Sequence, residues 1–125
     1  MKPLFLLFLV QVFLIESLSA QKNTIQLLNQ ERNSSYRGLS VVDDQTLWVS
    51  GSNGTVGLST DAGKNWQWVN PIGYEKIDFR DVEAFDENQP LIISAGSPAL
   101  VLLTTDAGRS WKEVFKDTRP EIFYD

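Results

Sequence analysis

From residue 36 onward the apolar positions fall into short runs of about four or five residues, each cut off by Gly, Asp, Asn or Pro. Leu39, Val41 and Val42 form a first run that stops at Asp43-Asp44, and Thr46–Ser50, rich in β-branched and aromatic residues, forms a second. After the turn Gly51-Ser52-Asn53-Gly54 come Thr55–Ser59 and, beyond the Asp61–Lys64 turn, Trp66–Val69. The same order recurs as Val82–Phe85, Leu91–Ala95, Leu100–Thr104 and Trp111–Phe115. Runs of this length, flanked by turn formers, predict strands. No window shows the 3.6-residue periodicity and caps of a helix. Further forward, Thr24–Leu28 is an isolated strand candidate ahead of the polar stretch Asn29–Ser35.

The two sets of runs are copies of one another. Leu58–Trp66 reads LSTDAGKNW and Leu103–Trp111 reads LTTDAGRSW, at an offset of 45 residues; upstream, YRGLSVVDD (Tyr36–Asp44) matches FRDVEAFDE (Phe79–Glu87) at an offset of 43. The two extra residues of the second copy fall around Asn88–Pro90. Four short strands in each 43–45-residue unit fit one blade of a β-propeller, a meander stacked radially against its neighbours. The expected architecture is all-β: a partial propeller of two four-stranded blades plus the isolated N-terminal strand. Residues 36–70 form blade one, 71–78 the connection, 79–115 blade two, and 116–125 the start of a third blade. Residues 21–35 precede the blades, and in a closed propeller a strand there completes the last blade. Because two blades cannot close a ring, the chain reads as a fragment, a truncated gene product or one portion of a larger assembly.

Residues 1–20 stand apart. Lys2, the apolar stretch Leu4–Ile15 broken only by Gln11, and the small polar exit Ser17–Ala20 follow the order of a secretory signal peptide. The apolar run falls short of the roughly 20 residues a bilayer span needs. Cleavage is expected after Ala20 or Ser19, giving an exported protein, periplasmic or secreted, with no stable membrane span once the leader is removed.

Composition then narrows the chemistry. With Lys2 and Glu16 gone, ten basic and fifteen acidic side chains remain, and the whole chain has net charge −5. That balance argues against nucleic acid, whose binders need a basic footprint. The chain has no Cys and no His, which excludes disulfides, thiolate chemistry and the usual general base near neutrality. No cofactor is expected, because there is no G-x-G-x-x-G segment between strand and helix. An enzyme is the less favoured class, since no non-repeated pair of carboxylates stands out for glycosidase chemistry.

Each copy carries S/T-x-D-x-G-x-x-W: Ser59, Asp61, Gly63 and Trp66 in the first, Thr104, Asp106, Gly108 and Trp111 in the second. An Asp at a hairpin corner accepts hydrogen bonds from nearby backbone N–H groups. Gly suits a corner needing positive φ, and Trp can cover the blade edge while its N–H reaches a carbonyl. A calcium site wants six to eight oxygens, whereas each loop offers one carboxylate followed by Ala and Gly. A motif repeated in every unit reads as a structural corner.

STDAGKNW and TTDAGRSW resemble the Asp-box, or BNR, repeat of sialidases, other secreted glycoside hydrolases and sortilin-type receptors. The longer stretch YRGLSVVDDQTLWVSGSNGTVGLSTDAGKNW is similar to propellers related to the photosystem II stability and assembly factor. The resemblance covers roughly residues 24–125. It implies Asp-box blades in an exported protein-binding scaffold that assists assembly or stability of an envelope or secreted complex. The alternative is a non-catalytic module or fragment of a secreted sialidase-like glycoside hydrolase. The resemblance further implies an arginine-rich surface that meets a client protein, onto which Arg37 and Arg80 map.

These two arginines hold matched places, in Y-R-G-L and F-R-D-V, just before the innermost strand of each blade. Two roles are open to them. They could ring one mouth of the channel and clamp a partner's carboxylates through their planar forks, or each could tie its strand to Asp81 or Asp86. Trp48, Trp66 and Trp111 read as blade core, while Trp68 beside Trp66 is a weaker pointer to carbohydrate stacking. The partner class is therefore protein, with carbohydrate second. Asn33-Ser34-Ser35 and Asn53-Gly54-Thr55 fit both the glycosylation pattern and simple turns, Asn53-Gly54 being suited to a hairpin corner.

Overall fold

The computed structural model describes residues 24–27 and 32–121. The leader expected over residues 1–20 and residues 122–125 of the segment expected to start a third blade lie outside that range. Among the described residues, eight strands form two four-stranded sheets: β1 (Tyr36–Val41), β2 (Leu47–Gly51), β3 (Val56–Ser59) and β4 (Gln67–Trp68), then β5 (Phe79–Ala84), β6 (Pro90–Ser94), β7 (Ala99–Leu103) and β8 (Lys112–Asp117). Each sheet is an antiparallel meander with strands in chain order. The chain is an all-β partial propeller, as the strand pattern predicts. Among the described residues no helix is long and apolar enough to cross a membrane.

The innermost strands start earlier than alternation alone suggests. Tyr36 pairs with Gly51 and Gly38 with Ser50, so Arg37 is an extra residue in a β-bulge; Phe79 pairs with Ser94 and Asp81 with Ile93, so Arg80 is its counterpart. A bulge shifts the alternation by one residue, which hides Tyr36 and Phe79 from a period-two reading. The outer strands differ in length. β4 ends at Trp68, because the Asn70 side chain takes over the Val56 N–H at 3.0 Å and Pro71 has no N–H to donate. The strand expected over Thr24–Leu28 is not formed across residues 24–27, where Ile25 and Leu27 are exposed. A strand requires a ladder partner, and no described segment pairs with these residues.

The β2–β3 corner has φ of 58° at Asn53 and 64° at Gly54, with Thr55 N–H donating to Ser52 O at 3.2 Å. Two positive φ values in sequence are the type I′ geometry that matches strand twist. The 71–78 connection is tied to this corner through Gly54 N–H to Ile77 O at 2.7 Å and Asn53 N–H to Asp78 Oδ1 at 3.2 Å.

The core lies between the sheets. Trp48, Val56, Leu58 and Val69 from blade one meet Phe79, Val82, Ala84, Ile92 and Leu102 from blade two. Full burial of each large apolar side chain contributes about 1.5–3 kcal/mol. Polar contacts fix the docking angle: Ala84 N–H donates to Ser40 Oγ at 3.0 Å and Trp111 Nε1 donates to Val69 O at 2.9 Å. The Trp48 and Trp111 rings meet edge to face, 6.5 Å apart at 86°, a favoured aromatic geometry.

Candidate functional site

Three groups of residues stand out, beginning with the repeated corners. Ser59 Oγ donates to Asp61 Oδ1 at 2.9 Å and accepts from Gly63 N–H at 2.8 Å. Asp61 also accepts from Asn65 N–H at 2.8 Å and Asn65 Nδ2 at 2.6 Å. The second corner repeats this set with Thr104 to Asp106 at 2.7 Å, Gly108 to Thr104 at 3.0 Å, and Ser110 N–H and Oγ to Asp106 at 2.9 and 2.6 Å. In both, Ala and Gly take left-handed φ, 60° and 82° at Ala62 and Gly63, 57° and 81° at Ala107 and Gly108. The Ala N–H groups donate to the preceding hairpin, Ala62 to Gln45 O and Ala107 to Asn88 O. Both carboxylates are thus occupied by their own loops.

Those bonds favour the ionised form. The Ser110 hydroxyl and then the Ser110 N–H hold Asp106 well below the usual carboxylate range, at about 2, while the Asn65 N–H and side-chain amide lower Asp61. The folded-state values lie below the unfolded value of about 3.9. The corresponding stability is therefore complete above pH ~4 and lost as pH falls through about 2. Urea melts between pH 2 and 5 should show this decline, and Asp106→Asn should flatten it. An unchanged acid profile in that variant would show that the corner bonds do not couple to folding.

The second group is the pair of bulge arginines. Arg37 and Arg80 are exposed, and among the described residues neither guanidinium has a partner. Ties to Asp81 or Asp86 are not made: Asp81 accepts from Val82 N–H at 2.9 Å, and Asp86 accepts from Asn88 N–H at 2.7 Å and Gln89 Nε2 at 3.0 Å. The strands bearing the arginines touch immediately after them, since a Cβ placed on Gly38 would lie 2.7 Å from Val82 N. Both fixed cations therefore flank one β1–β5 junction on the innermost strands.

The third group was not visible as a unit in the motifs. A groove of about 280 Å³ runs over the outer face of blade one, lined by Tyr36, Arg37, Gly38, Leu39, Val49 and Trp66. Beside it Tyr36 stacks on Trp68 at 6.4 Å and Trp68 on Trp66 at 6.1 Å, with the Arg32 guanidinium 4.9 Å from the centre of the Trp68 ring. Gly57 makes room for Trp68, because a Cβ there would lie 2.6 Å from the ring. The sequence singles out Arg37, Trp66 and Trp68 on this face, but each for a separate reason and not as one groove. The groove takes residues from two strands and a corner, so no contiguous motif marks it.

No family model matches the chain, and no curated protein matches it. Solved structures do share its architecture. A structure described as YCF48 bound to D1 peptide superposes with a TM-score of 0.66 at 22% identity, over 79% of this chain and 31% of that one. YCF48 from Cyanidioschyzon merolae superposes with a TM-score of 0.59 at 20% identity, over 75% of this chain and 30% of that one. The chain spans less than a third of the length of these structures, and what it shares with them is the propeller fold.

Proposed function

We propose that this chain supplies part of an exported protein-binding propeller scaffold, in which Arg37 and Arg80 grip a carboxylate-bearing polypeptide segment of a client. The observation that carries this reading is the repetition, in the same bulge of both innermost strands, of an exposed arginine that has no partner among the described residues. A free guanidinium offers paired, directional donors to a carboxylate. The structurally similar YCF48 is described as bound to a D1 peptide, which supports a peptide as the ligand class. Lys2, Leu4–Ile15 and Ser17–Ala20 support export, and the two hydrogen-bonded corners support the Asp-box assignment. Assistance to an envelope or secreted complex is the role in keeping with both. A non-catalytic module of a sialidase-like hydrolase has one point in its favour, the stacked Tyr36–Trp68–Trp66 row.

Fluorescence anisotropy with a labelled peptide carrying two adjacent glutamates tests the proposal. Hydrogen bonds to charged groups are worth about 1.5–3 kcal/mol, so Arg37→Glu and Arg80→Glu should each weaken binding about tenfold or more. The glutamine version of the peptide should bind more weakly than the acidic one, and salt should weaken the acidic peptide most. Unchanged affinity in a folded double variant would eliminate the arginine clamp. Binding of an oligosaccharide in place of the peptide would favour the hydrolase module.

A further inference from the structure

We infer that Asn53-Gly54 is a self-modification site, with the Gly54 backbone nitrogen as nucleophile, the Asn53 carboxamide as substrate and the 71–78 connection as gate. The inference is independent of client binding. The chain has seven asparagines, and Asn53 alone is followed by Gly. Because Gly54 has no Cβ, nothing on that residue hinders its nitrogen from approaching the preceding side chain. Asn53 is exposed, and among the described residues its carboxamide has no hydrogen-bond partner. The carboxamides of Asn65 and Asn70 are held, by Asp61 Oδ2 at 2.6 Å and by the Val56 N–H at 3.0 Å. Asn70 also precedes Pro71, which has no N–H.

The reaction is a ring closure followed by hydrolysis. Gly54 N bonds to Asn53 Cγ and the Cγ–Nδ2 bond breaks; the Gly54 proton leaves with the amide group as ammonia, and a succinimide remains. Water then opens either of its two carbonyl–nitrogen bonds. One product is aspartate; the other is isoaspartate, in which the main chain runs through the side chain and gains a carbon. In the closed corner the nucleophile is occupied, since Gly54 N–H donates to Ile77 O at 2.7 Å. The connection lies directly over it: a Cβ on Gly54 would be 2.6 Å from Tyr74 O and 3.0 Å from Glu75 Cα. Asn53 N–H is tied to the same connection through Asp78 Oδ1 at 3.2 Å. Attack therefore waits for the connection to lift, a local opening that needs no global unfolding. The change runs one way. The aspartate product sets a second carboxylate beside Asp78, and the longer main chain of isoaspartate no longer fits a two-residue corner. A chain whose connection has lifted is thereby marked.

Peptide mapping by mass spectrometry, on the purified chain in warm, mildly alkaline buffer, tests the inference beside hydrogen exchange of the Gly54 amide. The urea-unfolded chain should lose the Asn53 amide faster than that of any other asparagine. In the folded chain the loss should be slower by the protection factor of the Gly54 N–H, because one opening exposes both. Asp78 is exposed, so Asp78→Ala should keep the fold by circular dichroism. Removing one hydrogen bond shifts the opening about two- to tenfold, and the variant should speed Asn53 loss and Gly54 exchange by the same factor. A folded chain that converts as fast as the unfolded one overturns the inference. So does a folded wild type that keeps Asn53 beyond the time its Gly54 exchange allows, or an Asp78→Ala variant in which either rate stays unchanged.

Discussion

Trp48→Ala should destabilise the chain by about 3–5 kcal/mol, the usual cost of truncating a fully buried Trp or Phe, and should unfold both blades in one transition. Trp48 is fully buried and contributes to the shared core from blade one while touching Trp111 of blade two. Its removal takes contacts from both sheets at once, and a backbone held by strand ladders closes poorly around the space. Small domains have only about 5–15 kcal/mol of net stability, so the loss is a large share of the total. Trp48→Phe should be much milder, because the buried indole N–H has no hydrogen-bond partner among the described residues and its loss leaves nothing unpaired. Chemical denaturation of the three proteins checks both. Equal losses in the two variants would mean that the indole N–H does have a partner, whose loss outweighs ring volume.

The second large effect is expected at Gly38. A Cβ there would lie 2.7 Å from Val82 N and 2.9 Å from Asp81 C, both backbone atoms of the facing blade. Backbone cannot rotate away as a side chain can, so Gly38→Val must push β1 from β5 or distort the bulge beside it. Overpacking a close contact costs about 1–3 kcal/mol, occasionally more, and this position belongs at the upper end. Gly96→Ala is the matched control, with nothing within 4 Å of the added methyl, and should be close to neutral. A tolerated Gly38→Val would show that the innermost strands do not approach as closely as described.

Those two positions show what the chain's pattern makes legible. The strands follow from alternation and turn residues, and the pairing of blades from the repeat. The close approach at Gly38 is written in no periodicity, because it depends on which backbone lies opposite. The same limit applies to the tryptophans: one motif places Trp66 and Trp111 alike, yet their partners differ because a blade precedes only Trp111 among the described residues. At the site, the matched arginines are legible as a pair, but the bulges that set them apart from the ladder are not. Their expected carboxylate partners fail for a local reason, since Asp81 and Asp86 turn to adjacent backbone N–H groups, the habit of Asp in turns. Residues 24–27 carry strand-like alternation, but no local pattern supplies a ladder partner.

Face-to-face packing of the two blades underlies both the core and the arginine pair, and indole hydrogen exchange followed by nuclear magnetic resonance tests it most directly. The Trp111 N–H bonded across the junction to Val69 O and the buried Trp48 N–H should exchange only through global unfolding. Both should therefore share the opening free energy of the most protected strand amides. The Trp66 N–H, bonded within its own corner, should exchange sooner, by local opening. Exchange of the Trp111 proton as fast as that of Trp66, while the strand amides stay protected, would contradict the packing of the blades against one another.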